Sequence, residues 1–185
     1  MTEYKTIFDS SFQLQTEDFN FKYQKELTKS LDRYQGDYNQ SVINEIVLWK
    51  VNRYAEVDDA TLTLLNQISP SSKVINVEEV KSLLHKLLRT KGIKLAMAST
   101  ILRFKNPSLF QIIDQRVFRL LYNKELKLSS SQSERNIDSQ IALYFEYLVD
   151  LRKACEKLSI SFEDSDRVLF MADRRVNTDH KLKNY

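Results

Sequence analysis

Glycine and proline are scarce, two of each in 185 residues: Gly36, Gly92, Pro70 and Pro107. Sandwiches and barrels need such residues at turn after turn, and glycine-rich phosphate cradles need several close together. Both classes are therefore disfavoured, as is any collagen-like chain. Cysteine occurs once, at Cys155, which rules out an internal disulfide, a thiolate zinc site and an iron–sulfur cluster. Two histidines, His85 and His180, leave little material for a histidine metal site or a Ser–His–Asp triad. Chemistry must then rest on carboxylates, lysines, tyrosines or backbone groups.

Long apolar runs are also missing, so no membrane span is expected. The opening Met-Thr-Glu-Tyr-Lys does not read as a signal peptide, and a cytoplasmic protein is expected. What is present fits a folded domain: 42% hydrophobic and 29% charged residues. The length suits one domain over 1–185. With turn-formers so few, an all-α fold is the reading that remains.

The net charge of +3 is unevenly spread. Residues 81–124 hold ten basic side chains and one acid, Asp114, a local charge of +9 that leaves the rest of the chain at −6. Such a block suits a polyanion. It equally suits a solvated face whose acidic partners come from elsewhere in the fold.

Hydrophobic spacing predicts helices over 21–33, 38–53, 58–68 and, capped by Asn76, through an i, i+3, i+4 stripe of Val80, Leu83, Leu84, Leu87 and Leu88. Phe8, Phe12 and Phe19 could anchor an N-terminal arm. Gly92 suits a left-handed cap ending the fourth helix. A fifth helix follows over 94–104, stopped by Asn106-Pro107. Residues 110–113 read as extended, Asp114 as the cap of a helix over 115–122, and 129–133 as a loop. A long amphipathic helix over 134–158 and a last one from about Asp164 to Arg174 complete the chain before a basic tail. No internal repeat is visible.

Helix, tight turn, helix is an arrangement with a mechanism. The second helix presents unpaired N–H groups and the positive end of its dipole, which suit a phosphate oxygen. Lys91 and Lys94 add positive charge beside the turn. Asp114 follows one helix and one loop later, behind apolar Ile112 and Ile113, which would limit its hydration.

The run Lys91-Gly92-Ile93-Lys94-Leu95-Ala96-Met97-Ala98-Ser99, then Asn106-Pro107, then Ile113-Asp114-Gln115-Arg116-Val117-Phe118-Arg119 resembles the helix-hairpin-helix superfamily of DNA glycosylases. There a Leu-x-Gly-Val-Gly hairpin precedes a Val-Asp-x-His/Arg-Val-x-Arg segment. The sixteen residues from Ala98 to Asp114 fit that pattern without a gap, and the match covers roughly 35 residues. The resemblance implies a two-lobed all-α fold, with the hairpin and catalytic segment at 77–122 and a second lobe over 134–174. It implies a monomer acting on double-stranded DNA, one damaged or modified nucleotide being flipped into a pocket.

On that resemblance Asp114 is the catalytic carboxylate, stabilising positive charge on the sugar as the base departs or orienting a water. Its structural alternative is the cap of the following helix. Lys91, Gly92, Ile93, Lys94, Arg116 and Arg119 would contact DNA. Two departures matter. Lys94 replaces the second hairpin glycine, and Ala96 stands where bifunctional relatives carry a Schiff-base lysine. Without that amine no covalent imine forms, so a monofunctional enzyme leaving an abasic site is expected. No cofactor is implied, although the hairpin carbonyls of some relatives hold a monovalent cation.

Trp49, Tyr144 and Phe170 are the candidates to stack on a flipped base, with Tyr54 and Tyr147 behind them. At helical spacing such aromatics are more often core. Oxidised or alkylated purines lead as substrates, with modified phage bases as a variant. The rival classes are a DNA-binding module without catalysis and a helical domain whose basic face binds an acidic protein.

Overall fold

The structure is a computed structural model describing residues 12, 13, 15, 24–51 and 54–178. The expectations for Phe8, Phe19, His180 and the basic tail lie outside the described residues; Phe12 is exposed. The described residues form an all-α fold: eight α-helices, one 3-10 turn (Phe162–Asp164) and no strand. No helix among them is long and apolar enough to cross a membrane.

The chain divides into two compact units, Met1–Tyr54 and Ala55–Tyr185. The break thus falls between the second and third helices, and the 129–133 loop lies inside the second unit. The first unit pairs α1 (Lys25–Arg33) with α2 (Gln40–Lys50). Asn39 caps α2 by accepting from the N–H groups of Ser41 and Val42. Trp49 donates its indole N–H to Thr28 Oγ1 at 2.9 Å, and Gln24 donates to the Trp49 carbonyl at 3.0 Å.

The second unit begins with α3 (Asp59–Gln67), capped by Asp58 through the Thr61 N–H at 2.7 Å. Asn76 caps α4 (Val77–Arg89). The predicted stripe Val80, Leu83, Leu84, Leu87 and Leu88 is at most 5% exposed. At about 1.5–3 kcal/mol for each side chain removed from water, that stripe is a large share of what holds this unit together. It packs against α5 (Leu95–Lys105) and α7 (Glu134–Leu158), a helix ~37 Å long by its residue count. Ile137, Ile141, Tyr144, Leu148 and Leu151 are buried on α7 at helical spacing. Between them run the extended stretch 110–113 and α6 (Gln115–Tyr122). The last helix, α8 (Ser165–Val176), packs on α6.

Asn106 does more than end α5. Its side chain is wholly buried and donates to the carbonyls of Ser69 and Ser72, at 2.9 and 3.0 Å. It also accepts from the N–H groups of Ser108 and Leu109 and from the Ser108 hydroxyl. One amide therefore ties the loop after α3 to the loop after α5. Asn106→Ala strands several buried partners at once, each costing about 1–3 kcal/mol when unpaired. A loss of roughly 3 kcal/mol is expected in urea unfolding, because water can reach some of the freed groups. An unchanged midpoint would contradict this role.

Candidate functional site

The α4–α5 turn is built by a single glycine. Ile93 N–H donates to the Thr90 carbonyl at 3.1 Å, closing a β-turn with Lys91 and Gly92 at its centre. Gly92 has φ 87°, the left-handed value that the third position of such a turn requires and that a side chain resists. Gly92 is thus the hinge of the turn, whereas the cap position of α4 belongs to Thr90 in extended conformation. Ile93 is buried, and Lys91 and Lys94 are exposed. Lys94 sits at the N-cap of α5 without capping through its side chain.

Asp114 caps α6: its Oδ1 accepts from the Val117 N–H at 2.7 Å. The residue is half-buried. Burial raises its carboxyl above the usual aspartate range, against the pull of the Val117 and Arg116 N–H groups and the Arg116 charge. The Asp173 carboxylate pushes in the same direction as burial.

Asp114 and the turn share a cleft of about 680 Å³, within the range of small-molecule sites. Ile93, Lys94 and Ala96 from around the start of α5, Ile113, Asp114 and Gln115 from around the start of α6, and the loop over 125–132 line it. Leu88 of α4 and Ile137 and Gln140 of α7 complete the walls. No aromatic side chain is among the residues that the second unit contributes. The cleft offers aliphatic surface, amide and hydroxyl groups, two lysines (Lys94 and Lys127), the partly desolvated carboxylate of Asp114 and the exposed one of Glu125.

The other site expectations fare differently. Arg116 and Arg119 do not project freely: Arg119 grips Asp173 with two hydrogen bonds, at 2.7 and 2.8 Å, and Arg116 reaches it at 3.2 Å. Asp173 is wholly buried, so both guanidinium groups are held as its counter-ions. Tyr144 is wholly buried and donates its hydroxyl to the Gln111 carbonyl at 3.0 Å, leaving no face for a base. Phe170 lies under the Arg116 guanidinium, 5.4 Å from ring centre to carbon, and does not line the cleft. Trp49 belongs to the first unit and bonds Thr28 there. Tyr54, also in that unit, is exposed.

Half of the basic block is ion-paired. Lys81 pairs with Glu78, Arg89 with Glu134, and Arg103 with Asp166 at 3.3 Å, a buried ion pair without hydrogen-bond geometry. Arg103 also donates to the Glu163 carbonyl at 3.0 Å. His85 bridges α4 to α7 through Asp138, at 2.9 Å. Lys86, Lys91, Lys94, Lys105 and Lys124 have no ion pair among the described residues, and two of these, Lys91 and Lys94, stand at the turn. Asp166 and Asp173 were the functional neighbours that charge counting missed. Their signal was positional: with Leu169 they occupy i, i+3, i+7, where an apolar face was due.

No family model, curated protein or solved structure matches this chain.

Proposed function

We propose that this protein is a DNA glycosylase that cleaves the N-glycosidic bond of a damaged or modified base and leaves an abasic site. The reading rests on one observation: a desolvated carboxylate, Asp114, shares a cleft with a glycine-hinged helix turn that carries two unneutralised lysines. The same residues carry the resemblance to helix-hairpin-helix glycosylases.

The turn holds the backbone of a duplex, with Lys91 and Lys94 adding Coulomb attraction and the first N–H groups of α5 facing phosphate. A flipped nucleotide enters the cleft. As the bond from C1′ to the base breaks, the base leaves with the electron pair and takes a proton from solvent water. The Asp114 carboxylate offsets the positive charge left on the sugar. Water then adds to C1′, and its proton passes to the carboxylate. Ala96, in the cleft wall, has no amine to attack C1′; alkali-dependent scission with no borohydride-trapped adduct is expected, and a trapped adduct would make Lys94, Lys91 or Lys127 the nucleophile.

Binding tests the first half of this reading. Lys91→Glu with Lys94→Glu is expected to weaken duplex binding about equally for all sequences and to lower the log–log salt slope by about 2. Retained affinity removes the turn as the phosphate site. Salt-sensitive binding that persists in the absence of base release from any lesion would favour a DNA-binding module without catalysis.

A further inference from the structure

The extended stretch before Asp114 has no sheet partner, and buried backbone polar groups must be paired. Three hydroxyls do it, one for each successive residue. Tyr144 donates to the Gln111 carbonyl at 3.0 Å and Tyr147 to the Ile112 carbonyl at 2.8 Å. Ser99 accepts from the Ile113 N–H at 3.2 Å and donates to the Ala96 carbonyl at 2.8 Å. Ser99, Tyr144 and Tyr147 are wholly buried.

The two tyrosines stand one turn apart on α7, so their rings share a face. Ser99 is different in kind. It lies on α5, the helix that leaves the lysine-bearing turn, and its oxygen accepts from the N–H of Ile113, the residue immediately before Asp114. Its proton goes to Ala96, which itself lines the cleft. A chain of two hydrogen bonds thus runs from the first turn of α5 through Ser99 to the residue preceding the carboxylate.

We propose that Ser99 is a positioning residue that couples the α4–α5 turn to the Asp114 carboxylate, with Tyr147 holding the carbonyl end of the same Ile112–Ile113 peptide. This rests on the reading of Asp114 as the catalytic group. Tyr147 also faces Asp114: burial, and then the Asp114 charge, drive its phenol well above the ordinary tyrosine value. A shift of Ile113 moves Asp114, whereas α6 begins only after it. Phosphate contacts at the turn therefore act on the carboxylate through a rigid connection rather than a loop.

The test compares wild type, Ser99→Ala and Tyr147→Phe by two readouts. One is the titration midpoint of the Asp114 carboxyl by carbon-13 NMR in the free protein. The other is single-turnover base release beside duplex affinity. Ser99→Ala is expected to slow release roughly tenfold or more, since small misplacements of a reacting group cost that much. Duplex affinity stays within about threefold, because the lysines are untouched. Loosening Ile113 admits water, so the midpoint falls toward the ordinary aspartate range.

Tyr147→Phe gives the same direction with a smaller loss of rate, and it decides the matter if Ser99→Ala does not fold. A variant that is merely less stable, with wild-type rate and midpoint, overturns the proposal. If wild type releases no base, the glycosylase reading fails separately. The midpoint then still decides whether the coupling exists: a shift upholds it and no shift overturns it.

Discussion

Asp114→Asn is expected to abolish base release, by about 10²–10³-fold or more, while the protein stays folded and keeps its grip on duplex DNA. The substitution separates the two roles that Asp114 combines. Asparagine is as good a helix cap as aspartate, so the bond to Val117 N–H at 2.7 Å survives in kind. What is lost is the negative charge beside the sugar. Binding of duplex should hold or tighten, because a carboxylate near phosphates repels them. Asp114→Ala, by contrast, removes the cap as well and costs about 1 kcal/mol of stability. A variant with asparagine that binds and folds but does not cleave identifies the carboxylate as chemical. Collapse of folding with asparagine would identify it as structural.

The pH dependence follows from the same burial. The Asp114 carboxyl is raised above its unfolded value, chiefly by desolvation. Ionising it in the folded protein therefore opposes folding: stability falls as pH rises from the unfolded value, about 3.9, through the raised folded one. On the proposed role of Asp114, base release is expected to run the other way and to climb with pH across that raised midpoint, because the ionised form would be the active one. Asp114→Asn should flatten this arm of the stability profile.

The largest structural effect is expected at Asp173. Its carboxylate is wholly buried and is shared by Arg119, Arg116 and the Asn177 amide. Burial alone would raise its carboxyl, but hydrogen bonds from Arg119, Asn177 and Arg116 outweigh that and hold it below the ordinary aspartate range. Asp173→Ala leaves two arginines without their counter-ion and parts α8 from α6, a loss of about 3–5 kcal/mol. Chemical denaturation measures it, and a loss below about 1 kcal/mol would contradict the network. The linkage here has the opposite sign to Asp114: the lowered carboxyl contributes stability above its unfolded value, and that contribution drains away as pH falls through the folded one. Acid should therefore loosen α6, and with it the cap residue Asp114.

The helices were legible because their signals are local. The stripe on α4, the caps at Asn76 and Asp114, and the 25-residue α7 (Glu134–Leu158) all follow from spacing and side-chain chemistry over a few residues. What escaped depends on partners far apart in sequence. Arg116 and Arg119 read as phosphate ligands because their acid lies 57 and 54 residues away. Asn106 read as a helix stop because the carbonyls it serves precede it by 37 and 34 residues. Tyr144 and Tyr147 read as stacking surfaces, yet each has its hydroxyl on a carbonyl more than thirty residues back. An aromatic on a helix announces that it will be buried. It does not announce what its polar end will meet.

That distinction shapes the cleft. Its lining is aliphatic and polar, so recognition there would rest on hydrogen bonds from Gln115, Gln140 and the serines of 129–131. The charged groups of the cleft are Lys94, Lys127, Asp114 and Glu125, with Lys91 beside it at the turn, since the arginines near Asp114 are engaged.

The most direct test is base release from duplex oligonucleotides, each carrying one oxidised, alkylated or otherwise modified base. Wild type and Asp114→Asn run side by side, with scission scored before and after alkali and with a borohydride lane. The account predicts alkali-dependent scission for at least one base, absent in Asp114→Asn, with no trapped adduct. Scission that persists in Asp114→Asn, or a covalent adduct, would contradict it.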